Sequence, residues 1–227
     1  MYRLLTATMI GLAAASAGVP AVAAPIVEAE IISGSATQTM TIAPGGGGSL
    51  VASHSFLAAS QYMGIFVSFG SLVGPRSTEL DLSALVQGND RNNKTLTIEL
   101  TETDVSVADL DTFSSGYDWF AHNTSTLTFD TYYDLADTPF GTSNALLTST
   151  TTGKPPFPDF FNIGPVTSTR SLSTLFSLTE VFVLTPKSST NLSLDGTLAV
   201  EAPEPTSLVI LGGSLVALGL INRRRKH

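Results

Sequence analysis

Alternation of apolar and polar side chains governs the middle of this chain. From Thr95 to Thr101, Leu96, Ile98 and Leu100 fall on one side and Thr95, Thr97, Glu99 and Thr101 on the other, the period of two that a half-buried strand requires. Asn191 to Val200 repeats it, with Leu192, Leu194, Leu198 and Val200 on one face and Gly196 marking a bulge or a close contact. Further strands are predicted over Val27 to Ser33, Ala36 to Ile42, Leu50 to Phe56, Gly64 to Phe69, Thr124 to Asp130, Ala145 to Thr151 and Leu172 to Leu184. In the last, Val181-Phe182-Val183-Leu184 is apolar on both faces, which predicts a central strand covered on each side.

Turn residues separate these runs: Pro44 to Gly48, Gly74-Pro75, Gly88 to Asn93, Gly141 and Pro186 to Ser189. Short strands at this spacing predict an all-β fold, an antiparallel β-sandwich, with serine and threonine on its solvent faces. Two stretches depart from it. Glu79 to Val86 reads as a helical turn or two, and Pro155, Pro156, Pro158 and Pro165 predict an irregular loop pinned to the core by Phe157, Phe160 and Phe161.

The two ends follow other rules. Arg3, the apolar stretch Leu4 to Ala17 and the small-x-small site Ala21-Val22-Ala23 read as a secretory signal peptide over residues 1–23, a short helix removed by signal peptidase after export. At the other end, residues 206–221 carry no charge and reach ~24 Å as a helix, close to the ~30 Å of a bilayer core. Arg223, Arg224, Arg225 and Lys226 follow at once and predict a cytoplasmic stop, which places everything before Pro203 outside. The expected organisation is a signal peptide at 1–23, an extracellular sandwich at 24–201, and a tail at 202–227 with a single transmembrane helix.

Pro203, Glu204 and Pro205, the apolar span and the basic cluster occur in the order and separation of the PEP-CTERM sorting signal, and residues 202–226 resemble it. The same tail is also named after the C-terminus of ice-binding proteins, a shared anchor that transfers no activity to the body. The resemblance implies recognition and cleavage by an exosortase in the inner membrane of a Gram-negative bacterium. Release to the cell surface or the exopolysaccharide matrix would follow, with the chain as substrate of that enzyme.

Charge and composition narrow the body's chemistry. Residues 24–205 hold all 19 acidic residues but only six basic ones, a net charge of −13 that disfavours nucleic acid and anionic lipid as partners. The chain has no cysteine, so disulfides, thiolate nucleophiles and Cys-ligated metals are excluded. No Gly-x-Ser-x-Gly elbow occurs, and His54 and His122 are the only histidines of the body. The sequence therefore predicts a protein that is not an enzyme and has no cofactor.

Three candidate sets of residues remain. Asp104, Asp109, Asp111 and Asp118 cluster as candidate calcium ligands, without EF-hand spacing because Ser114 stands where the glycine is needed. Tyr117, Trp119, Tyr132 and Tyr133 are candidate glycan platforms. Glu99, Glu102, Asp104 and Asp118 form the carboxylate pool from which glycoside cleavage would draw. The leading expectation is an exported, non-catalytic surface or exopolysaccharide-matrix protein of use in a biofilm. The alternatives are a carbohydrate-binding module and an extracellular glycoside hydrolase.

Overall fold

A computed structural model describes residues 26–202 except 75–76, 89–93, 106–110, 123–124, 155–157, 171, 173 and 188–190. The expected signal peptide with Ala21 and Ala23, the motif Pro203-Glu204-Pro205, the transmembrane span and the basic stop lie outside the described residues. Among the described residues no helix is long and apolar enough to cross a membrane.

The described residues form twelve strands, arranged in two antiparallel sheets, and one short helix. In chain order they are β1 (Val27–Ser33), β2 (Ala36–Ile42), β3 (Gly47–Val51), α1 (His54–Ser60), β4 (Tyr62–Val73), β5 (Ser77–Gly88), β6 (Leu96–Val105), β7 (Asp111–Ala121), β8 (Thr126–Asp134), β9 (Asn144–Thr152), β10 (Asp159–Arg170), β11 (Phe176–Thr185) and β12 (Asn191–Glu201). Sheet A has the order β2-β1-β6-β11-β8-β9 and sheet B the order β10-β7-β12-β5-β4-β3. Their inner faces interdigitate around one core that includes Leu80, Leu82, Leu96, Leu100, Phe113, Trp119, Phe129, Phe176 and Phe182.

The alternating segments fold as their pattern requires, and β11, apolar on both faces, is an inner strand of sheet A. Gly196 is a close contact and not a bulge. Its pairing with β5 and β7 runs without a register shift, and a Cβ there would come within 2.5 Å of Phe182 and 3.2 Å of Phe129.

Three segments differ from expectation, and a fourth that was not predicted as a strand is one. Leu50 to Phe56 divides into the end of β3 and the start of α1, because Ser53 caps the helix by accepting the Phe56 amide hydrogen at 3.3 Å. His54 therefore opens a helix. Glu79 to Val86 is strand throughout, since Leu80, Leu82, Ala84 and Val86 all turn into the core. The acidic segment before His122 is strand β7, with Phe113, Ser115, Tyr117, Trp119 and Ala121 turned inward. The proline-rich stretch contains the edge strand β10, in which Pro165 sits within the register shift between Ile163 and Val166.

Candidate functional site

The core has a polar seam on the sheet A side. Glu102 and Glu180 lie on adjacent strands and both point inward, 2 % and 0 % exposed. Ser71 on β4 donates a hydrogen bond to Glu102, yet Glu102 Oε2 and both carboxyl oxygens of Glu180 have no partner among the described residues. Burial pushes Glu102 up to about 7 and Glu180 well above the usual carboxylate range, with Asp81, Asp195 and Glu79 adding like-charge repulsion to the latter. Nearby, Ser115 and Thr131 share a hydrogen bond of 2.9 Å across the sandwich, and the Tyr117 hydroxyl reaches Ser149 at 3.0 Å.

The aromatic residues singled out from sequence serve this core. Tyr117, Trp119 and Tyr133 are buried, so they present no ring face to solvent. Trp119 stacks on Phe161 at 5.0 Å, Tyr133 on Phe113 at 5.5 Å, and Tyr117 lies 4.8 Å from Phe129. Tyr132 alone of the four lies on an outer face, that of sheet A, and shares a hydrogen bond with Asp130.

The acidic candidates are dispersed. Glu99 stands on the outer face of sheet A directly opposite Glu30, Glu102 is in the core, and Asp118 lies on the outer face of sheet B opposite Asp195. Asp104, at a left-handed φ of 56°, gives its amide hydrogen to Asp137 at 2.8 Å, at the end of sheet A. Asp109 and the Asp111 side chain lie outside what is described. No group of three or more His, Asp or Glu able to hold a metal ion occurs among the described residues, so Asp104 and Asp118 do not meet as calcium ligands.

Register assembles a different site on the outer face of sheet B. Phe160 pairs with Phe120, Phe120 with Ser193, Ser193 with Leu85, Leu85 with Phe66, and Phe66 with Val51. This makes one row across all six strands, ~24 Å long at ~4.8 Å per strand. Phe160 is 62 %, Val51 60 %, Leu85 56 % and Phe66 41 % exposed. All the exposed large apolar side chains among the described residues except Leu135 belong to strands of sheet B. Two grooves lie on the row: one of about 350 Å³ between Val51, Leu57, Met63, Phe66 and Leu85, and one of about 220 Å³ between Leu85, Gln87, Phe120, His122 and Asn191.

A second row runs beside the first, two residues along each strand. Asn162, Asp118, Asp195, Ser83, Ser68 and Ser49 face one another in turn from β10 to β3. None of these six side chains has a hydrogen bond to another described residue. Asp195 is raised by burial and then by Asp81 and Asp118. An open notch of about 200 Å³ adjoins Asp118, Asp195, Asn162 and Thr197. Gly116 forms part of it because a Cβ there would lie 3.1 Å from the Ile163 carbonyl at the bulge.

This site was hidden in the sequence because its members span Ser49 to Asp195 and meet only through the pairing of six strands. Their one local signal is an apolar residue on the wrong side of an alternating run, such as Leu85 between Ala84 and Val86.

No family model matches the chain, and no curated protein matches it in sequence. Among solved structures it is similar to an isomalto-dextranase of Arthrobacter globiformis T6 complexed with panose, at 12 % identity and a TM-score of 0.27. The match covers 72 % of this chain and 25 % of that one, a level at which neither fold nor activity carries over.

Proposed function

We propose that the protein is exported to the cell surface or an exopolysaccharide matrix, where its sandwich works as a non-catalytic glycan-binding module. The observation that carries the binding reading is the six-strand apolar row lying beside a row of free hydrogen-bonding side chains. A sugar ring has an apolar C–H face and a rim of hydroxyls. Phe160, Phe120, Leu85 and Phe66 suit the first, while Asn162, Asp118, Asp195 and the serines suit the second. This face replaces the buried Tyr117, Trp119 and Tyr133 as the glycan platform.

The non-catalytic reading is supported by the scatter of the carboxylate pool, since glycoside cleavage places two carboxyls about 5–9.5 Å apart across the scissile bond. Glu99, Glu102 and Asp118 occupy an outer face, the core and the opposite outer face. Export, exosortase processing and transient residence in the inner membrane are supported by the signal peptide, the Pro203-Glu204-Pro205 motif and the basic stop in the sequence.

Affinity electrophoresis through gels holding single polysaccharides tests the binding. The protein should be retarded by at least one, and a Phe66→Ala/Phe160→Ala variant should run free. Free running of the unaltered protein in every gel, retention of the variant, or turnover of a retained glycan would overturn the proposal. Sorting is tested by replacing Pro203-Glu204-Pro205 in the host: the altered chain should accumulate as a membrane-held precursor, and normal processing would refute it.

A further inference from the structure

The occupant of the outer face of sheet B has to satisfy charge as well as shape. Asp118 and Asp195 are directly opposite on neighbouring strands, a like-charge pair that destabilises a sheet unless something compensates it. Asp81 lies diagonal to Asp195 on β5, opposite Thr197, and adds a third carboxylate that raises Asp195 further. No lysine or arginine belongs to this row or to the apolar row beside it. The acids sit about 7 Å from the phenylalanine row along each strand, roughly one sugar width from the surface on which a ring would lie.

We infer that the glycan held on this face is cationic, a polymer of amino sugars. Its ammonium groups stand over Asp118, Asp195 and Asp81, and its ring faces lie on Phe160, Phe120 and Phe66. The inference rests on the reading of this face as a glycan platform and names the class of glycan. Charge disfavours a second copy of the chain and any anionic surface as occupants of this face. A second copy docked face to face would bring its own Asp118, Asp195 and Asp81 against the first set, and an anionic lipid surface or acidic polysaccharide would meet the same repulsion. A peptide adding as a β-strand would pair at a sheet edge, whereas these rows cross the paired middle of the sheet. Amino sugars supply what the face lacks, a positive charge and an apolar ring on one repeating unit.

Calorimetric titration of the full-length chain, held in non-ionic detergent, with a glucosamine hexamer, its fully N-acetylated counterpart, oligogalacturonate and a basic amphipathic peptide tests this. The glucosamine hexamer should bind roughly tenfold more tightly than the N-acetylated one at low salt, and the preference should shrink as salt screens the carboxylates. Asp118→Asn/Asp195→Asn should abolish the preference while leaving the N-acetylated hexamer bound. Phe66→Ala/Phe160→Ala should abolish binding of both hexamers, with thermal unfolding showing that each variant is folded. Equal affinity for the two hexamers, a preference that survives Asp118→Asn/Asp195→Asn, or tighter binding of the peptide would overturn the inference. The first two of those results leave the glycan platform standing, whereas failure of both hexamers and of every polysaccharide gel removes the platform as well.

Discussion

Sheet A turns Glu102 and Glu180 into the core and pairs hydroxyls across its outer face, Thr126 with Thr152 at 2.9 Å, Thr128 with Thr150 at 3.1 Å and Thr101 with Thr179 at 3.1 Å. Sheet B does the reverse. Its inner face is largely apolar, while Phe66, Leu85, Phe160 and Val51 stand in solvent beside carboxylates and serines whose side chains have no hydrogen bond to another described residue. Both sheets have six strands and comparable lengths, so the difference does not come from architecture. Burying a carboxyl costs stability unless it is paired, and an apolar row in water contributes nothing to folding. The sheet A seam is thus a matter of stability, whereas the sheet B rows are what the proposed binding would use.

The largest effect that separates the two roles is truncation of aromatic rings. Phe182→Ala, which empties the core beside Phe129 and Tyr117, should cost ~3–5 kcal/mol in chemical denaturation. Phe66→Ala on the outer face should stay within ~0.5 kcal/mol. Comparable losses would break the distinction between the sheets.

Next in size is relief of the seam. Glu180→Leu removes a buried carboxyl with two unpartnered oxygens and keeps its volume, so stability near neutral pH should rise by ~1–3 kcal/mol. A loss of stability would mean that Glu180 has a partner in solution.

The pH dependence sharpens the same point. Because burial holds Glu102 at about 7 against an ordinary 4.5, the folded chain keeps a proton that the unfolded chain has released. Stability should be greatest below about pH 4.5 and fall by up to ~1.4 kcal/mol per pH unit as pH rises, the Glu102 share levelling off near pH 7. Burial holds Glu180 well above its ordinary value too, and adds a decline of the same sign. Glu102→Gln should flatten the slope between those limits, and an unchanged slope in denaturation series would assign it to other carboxyls.

The smallest stability effect belongs to Asp118→Asn, which relieves the like-charge pair with Asp195 and should stabilise by ~0.2–1 kcal/mol at low salt, less at high salt. No gain would show that the pair is already compensated.

The legible part of the fold was its alternation. β1, β2, β6 and β12 carry clean period-two patterns, and the double-sided β11 announces its central place. β7 was obscured because its outward acids and Gly116 resemble a loop, although Phe113, Tyr117, Trp119 and Ala121 keep the inward period. β10 was obscured by prolines that an edge strand with a bulge tolerates. α1 hinged on a single cap at Ser53. The two rows on sheet B were not legible at all, because period two tells which face a residue takes but not which residue lies opposite on another strand.

The placing of the last two strands has a consequence for when this protein can fold. Among the described residues, β11 alone joins β2-β1-β6 to β8-β9, and β12 alone joins β10-β7 to β5-β4-β3. Until residues 176–201 are available, each sheet is two fragments with open edges. Assembly of both sheets therefore waits for the last two strands, so neither sheet can close while residues 176–201 are still being made.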